Sequence, residues 1–250
     1  MNCSKTIKTE LCAYSVDACR TAARLGVDRV ELCASPAEGG VTPSYATIER
    51  VSKIEGLGLS VMIRPRGGDF LYSDDEFQTM LQDIDYARRA GATGVVFGIL
   101  TADGRVDIER TRQLVEASKG METTFHRAVD MTSDYEQAIE DVIATGCTRI
   151  LTSGGYDKAI DGWENIARGV ARAAGRIEIM AGSGVVAANA SRLLEAGVDA
   201  LHFSAKRMVL GGMEYRNPRI SMGGSAAVDE FSLRVVDQEE VEKILTLIKR

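Results

Sequence analysis

One junction recurs along this chain and narrows the architectures open to it. A helix-like run ends in Ala or Leu beside a glycine, a small or acidic residue follows, and an apolar strand-like run begins. It occurs at Leu25-Gly26-Val27-Asp28, Ala90-Gly91-Ala92-Thr93, Thr145-Gly146-Cys147-Thr148 and Ala196-Gly197-Val198-Asp199. Glycine just past a helix end supplies the positive φ that closes the last turn. Strands that alternate with helices in this way form βαβ units and a parallel sheet.

Extended along the sequence, the pattern predicts strands near 8–12, 28–33, 59–64, 94–99, 121–126, 148–152, 176–181 and 199–204. Helices are expected near 15–25, 44–55, 74–90, 107–118, 134–145, 160–174 and 187–196, with a C-terminal helix over 237–249. Asp17, Ser44, Ser73 and Asp134 stand where N-caps are wanted. Eight such units in 250 residues fit an α/β fold of the (β/α)8 TIM-type barrel class, for which roughly 250 residues is usual. An open doubly wound sheet is the alternative. No linker composition divides the chain, so residues 1–250 are expected to form one barrel domain. The stretch 205–235 shows no clear periodicity and reads as an extended last loop, over the barrel mouth or at a contact between subunits.

Nearly every predicted strand ends in a residue with ligand-binding or reactive chemistry, and ligands collect at the carboxyl ends of strands in parallel α/β folds. Side chains alternate across a strand. Glu10 and Cys12 therefore share one face against Leu11, Glu31 and Cys33 another against Val30 and Leu32, and His202 and Ser204 a third against Leu201 and Phe203. The polar sets should face the barrel interior. Buried acids need opposite charges nearby, and Arg64 and Arg66 are the expected counterparts of Glu10 and Glu31.

The densest segment is Met62-Ile63-Arg64-Pro65-Arg66-Gly67-Gly68-Asp69-Phe70. Arginine forks suit a carboxylate or phosphate, and paired glycines let backbone approach a ligand. Gly182-Ser183-Gly184 before a helix offers backbone N–H groups to an anion, and Ser153-Gly154-Gly155 is a similar turn. His126 and His202 are the only two histidines, and both fall at predicted strand ends. Each is a general acid/base, a metal ligand or a satisfied core residue.

Five cysteines without a C-x-x-C pair do not form a disulfide framework. Cys12 and Cys33 end neighbouring strands about 4.8 Å apart. They are either two small buried residues or a soft pair suited to Cu(I); a closed zinc site would need four ligands. The net charge of −6, without a basic cluster, argues against nucleic acid as a partner. No stretch approaches the roughly 20 apolar residues of a membrane span, and no secretion signal opens the chain, so a cytoplasmic location is expected.

The chain also resembles the CutC family of copper homeostasis proteins. The likeness rests on Val30-Glu31-Leu32-Cys33, Glu38-Gly39-Gly40 with Thr42-Pro43-Ser44, the segment Met62 to Phe70 continuing to Tyr72-Ser73-Asp74, Thr124 to Ala128 with Asp130, Leu151 to Gly154, and Tyr215-Arg216-Asn217. Val129 stands where the family pattern would have Phe. The resemblance implies a TIM-type barrel, a cytoplasmic role in copper handling, and Cu(I) held by Cys12 and Cys33.

Two function classes follow. One is a Cu(I)-binding protein. The other is an enzyme acting on a small anionic metabolite at the barrel mouth, with Arg64, Arg66, Asp69, Ser153, Gly182, Ser183, Gly184, His202 and Ser204 around the ligand. In that case Glu10, Glu31 or His126 would move protons. In either case a second copy of the chain is the expected protein partner, as a dimer.

Overall fold

The computed structural model describes residues 6–217, 219–220 and 230–248. Parts of the predicted final loop (218 and 221–229) and residue 249 of the predicted last helix lie outside the described residues. Eight parallel strands close into a barrel in sequence order: β1 Lys8–Ala13, β2 Arg29–Leu32, β3 Gly58–Met62, β4 Gly94–Phe97, β5 Glu122–Phe125, β6 Arg149–Thr152, β7 Glu178–Ala181 and β8 Ala200–Phe203. The outer ring consists of α1 Val16–Leu25, α2 Tyr45–Val51, α3 Asp74–Arg89, α4 Ile108–Ala117, α5 Tyr135–Thr145, α6 Trp163–Ala173, α7 Ala187–Glu195 and α8 Gln238–Ile248. The (β/α)8 expectation holds. No described helix is long and apolar enough to cross a membrane.

The recurrent junction works as its chemistry demands: Gly26, Gly91, Gly146 and Gly197 all have φ between 80° and 93°. Ser44, Ser73 and Asp134 cap their helices through the side chain. Asp17 does not. Ser15 takes the extended cap conformation and accepts the Ala18 N–H, which places Asp17 inside the first turn, where a carboxylate still favours the helix dipole.

The strand faces divide as alternation predicts. Leu11, Val30, Leu32, Val61, Ile63, Leu201 and Phe203 pack outward into the large core shared with the helices. The barrel interior holds two small apolar clusters, one of Leu151, Met180 and Ala200 and one of Cys33, Met62 and Val96 flanked by Cys12 and Tyr14. At its amino-terminal end Arg149 donates to Glu178, Glu122 and Thr124, and Arg29 reaches Glu122 and Glu10. The interior is thus a packed column with a charged floor, and a cavity opens at its carboxyl-terminal mouth.

The final loop contains structure that the sequence did not suggest. β9 Lys206–Leu210 pairs antiparallel with β10 Ser232–Val236 as a two-stranded ribbon. Most of its residues are exposed on both faces, so no apolar alternation exists to reveal it.

Candidate functional site

The register of the first, second and last strands brings the interior acids, histidine and thiols together. Glu10 lies opposite Arg29 on one side and opposite His202 on the other, and Cys12 lies opposite Glu31. Glu10 is fully buried. It accepts from the Arg29 guanidinium and lies 2.8 Å from His202 Nδ1. His202 Nε2 lies 3.8 Å from Glu31 Oε2, and the Cys33 thiol is 3.5 Å from the same oxygen. The ligand atoms of Cys12, Glu31 and Cys33 lie within 4.8 Å of one another, as do those of Glu10, Glu31 and His202.

Electrostatics orders this cluster. Burial pulls the Glu10 carboxyl upward, but hydrogen bonding to His202 and the charge of Arg29 outweigh it and hold it down at about 2. Burial pulls His202 downward, and Glu31, Cys12 and Glu10 together lift it well above the ordinary imidazole value. A hydrogen bond from Cys33 holds the Cys12 thiol well below the usual range, against burial and with help from His202. The same bond, with burial and Glu31, pushes Cys33 well above it. Burial likewise raises Glu31 despite the His202 charge. The arrangement therefore favours ionisation at Cys12 over Cys33 and a proton on His202 beneath them.

Arg29, not Arg64 or Arg66, is the counter-charge of Glu10. The sequence expectation that the Arg64–Arg66 pair balances the interior acids is corrected here. Arg29 shares the inward face of Glu31 by alternation, so the signal was present in the second strand. Arg64 instead donates Nη1 to the carbonyls of Glu38 and Gly40 and Nη2 to that of Gly68. Arg66 lies in a surface network with Glu76 and Asp69.

A cavity of about 280 Å³ opens at the mouth. Of the residues singled out in the sequence, Cys12, Glu31, Arg64, His126 and His202 line it. Glu10 lies beneath it, under His202. Ser153 is buried beside Asp130, which accepts from its amide and hydroxyl and from Arg127. Asp69 is engaged with Arg66, and Ser183 donates to the Asp157 carbonyl. Gly182 packs against Leu151 and His202, Gly184 lies beside Lys158, and Ser204 is partly buried. The N-terminus of α7, beyond the Gly182–Gly184 turn, already receives a carboxylate: Ala187 N–H donates to Glu240 of α8 at 2.7 Å. Glu38, Phe70 and Arg127 also line the cavity. They reach it from a 3-10 turn (Pro36–Glu38), a loop and a second 3-10 turn (Arg127–Met131), so no strand-end pattern marks them.

His126 caps that second 3-10 turn, its Nδ1 accepting from Ala128 N–H at 3.1 Å. Burial, then the charge of Arg64, push its pKa down to about 3. The sign of the consequence follows from linkage. Between pH 6.5 and about 3 the unfolded chain binds a proton that the folded ring refuses, so stability falls as pH drops through that window, by up to about 1.4 kcal/mol per unit. His126→Gln is expected to flatten this limb relative to the parent. Urea unfolding at pH 4 and pH 6.5 checks it: equal pH dependence in both proteins would show that the ring is not held neutral.

The chain matches the CutC family over residues 7–207. It is 45% identical over 247 residues to a CutC family protein of Bacteroides thetaiotaomicron, covering 98% of this chain and 99% of that one.

The chain belongs to the CutC family.

A human relative named copper homeostasis protein cutC homolog is 42% identical over 241 residues, with 96% of this chain and 88% of that one covered. The crystal structure of CutC from Streptococcus agalactiae superposes with a TM-score of 0.74 at 37% identity, covering 79% of this chain and 98% of that one. The paired thiols, the buried charge cluster and the mouth cavity described above are thus features of a CutC barrel.

Proposed function

We propose that this CutC protein handles Cu(I) as cargo, in the cytoplasm, and holds it between Cys12 Sγ and Cys33 Sγ. The observation that carries the reading is the convergence of two thiols and the Glu31 carboxylate within 4.8 Å at adjoining strand ends, with Cys12 open to the cavity. Thiolates are soft donors that select Cu(I) over hard cations. The donor set fits: one sulfur is already held toward thiolate, and the His202 cation offsets the negative charge that a dithiolate complex would carry. The name of the human relative supports the same reading. In this role Glu10 and Arg29 serve as a support that fixes His202 rather than as proton carriers. The proposal covers residues 1–250 as one barrel unit working as a dimer. Met208, Leu210 and Leu233, exposed on the β9–β10 ribbon, suit a contact between copies.

Metal binding to a protonated thiol must expel its proton. Anaerobic titration against a chromophoric Cu(I) chelator is expected to show one Cu(I) taken per chain, with about one proton released near neutral pH as Cys33 ionises. If the chelator keeps all the copper, or uptake releases no proton, the two-thiol site is wrong. Sedimentation velocity tests the dimer.

A further inference from the structure

Three buried side-chain atoms around the mouth have no hydrogen-bond partner: Glu31 Oε1, Arg64 Nε and His126 Nε2. All three residues line the same cavity. Buried polar atoms are nearly always satisfied, so three unsatisfied groups on residues that line one cavity point to a ligand that this chain does not supply.

The character of each atom is fixed by its surroundings. His126 Nδ1 accepts from Ala128 N–H. The neutral ring therefore carries its proton on Nε2, which is a donor. The two terminal nitrogens of Arg64 are spent on the three carbonyls of Glu38, Gly40 and Gly68, and the Tyr72 hydroxyl meets the same guanidinium. Those carbonyls are neutral, and among the described residues Arg64 has no carboxylate partner, although only 7% of it is exposed. A buried guanidinium without a counter-charge is costly. The Tyr72 hydroxyl is neutral, so its contact with the guanidinium leaves that charge in place. Phe70 ties the two donors into one wall: its ring centroid is 5.0 Å from Arg64 Cζ and 4.9 Å from the His126 ring. Of the other cations at the mouth, Arg127 is already paired with Asp130 and His202 with Glu10.

We propose that this cavity binds a small hydroxy-carboxylate, its carboxylate set against the Arg64 guanidinium and the His126 ring and a hydroxyl toward Glu31. A planar anion of single charge matches one unpaired cation and one neutral donor. A phosphate dianion matches less well. The wall also carries the Glu38 carboxylate, and the glycine-rich turn at Gly182–Gly184, the backbone cradle a phosphate would want, is not part of the lining. Met62 and Leu151 supply apolar flanks for a short carbon chain. The site differs from the copper site in its anchoring residues, yet Cys12 lines the same space, so acid and metal would lie side by side.

Glycerate serves as the probe, titrated into the metal-free full-length protein labelled with 15N-histidine. Saturable binding is expected, with movement of the His126 Nε2 resonance. Glyceramide, the neutral isostere, should bind at least about tenfold more weakly, and Arg64→Gln should cost glycerate a similar factor. Because Arg64 ties three loop carbonyls, its variant could lose the fold; the glyceramide comparison on the parent protein tests the same charge without any substitution. The titration uses copper-free protein and Cu(I) uptake by the parent is measured separately, so failure of either reading leaves the other standing. The proposal is overturned if glycerate does not saturate, if glyceramide binds equally well, if inorganic phosphate binds more tightly, or if the His126 resonance stays fixed while binding occurs.

Discussion

Replacing Cys12 and Cys33 together with serine is expected to lower Cu(I) affinity by well over about a hundredfold, since loss of mere outer-shell partners already costs 10- to 100-fold. The oxygen of serine is nearly isosteric with sulfur but hard, and it does not ionise near neutral pH, so the soft anionic pair disappears while the packing survives. Each single variant should retain weak, one-thiol binding that a chelator removes easily. Cys12→Ser should be the more damaging, because Cys12 is the sulfur already held toward thiolate and the one that lines the cavity. The far-ultraviolet circular dichroism and the unfolding midpoint should change little, since the large core excludes both residues. Chelator competition on the three variants decides the matter. A double variant that holds Cu(I) as tightly as the parent would remove the thiol pair from copper handling.

The second large effect concerns the fold. Arg29→Met is expected to destabilise the protein by about 3–5 kcal/mol, the usual cost of breaking a buried pair from one side. Glu10 is fully buried and Arg29 nearly so. Removing the guanidinium leaves a carboxylate whose compensation falls to His202 alone, and it also strips Glu122 of a contact. The pH dependence provides the check. The folded pKa of Glu10 is depressed to about 2 from an ordinary 4.5, so its pairing stabilises the fold above pH 4.5 and fades as pH falls toward 2. The deficit of Arg29→Met should therefore be full at pH 7 and shrink across that window. Adding Glu10→Leu to Arg29→Met should recover much of the loss at pH 7, because an apolar pair has no ion to strand. By contrast Arg66→Met, at a surface pair with Glu76, should cost less than about 1 kcal/mol. Urea unfolding of the three variants beside the parent measures all of this. A buried-pair deficit no larger than that of the surface pair would refute the role assigned to Arg29.

Much of this site was legible before any coordinates. The four glycine junctions marked the strand starts, and alternation placed Glu10, Cys12, Glu31, Cys33 and His202 on inward faces. The adjacency of the first two strands brought the thiols together. Other features were not legible. The surface ribbon Lys206–Leu210 with Ser232–Val236 buries only Val236 at its end, so it leaves no apolar rhythm. Asp17 resembles a cap but sits two residues past the one the backbone selects. Glu38, Phe70 and Arg127 reach the cavity from turns whose direction no periodicity encodes.

The amino-acid sequence by itself determined the (β/α)8 architecture and which side chains point inward, because both depend on local rules: a glycine that ends a helix and a strand that alternates every two residues. Only the tertiary structure decided that Arg29 rather than Arg64 neutralises Glu10, that Arg64 is left a buried cation on carbonyls, and that His126, in the cavity wall, keeps an Nε2 without a partner. Those outcomes depend on the register at which eight strands close and on where the loops then land. A charge takes the nearest partner in space, and distance in space is set by closure, not by position along the chain.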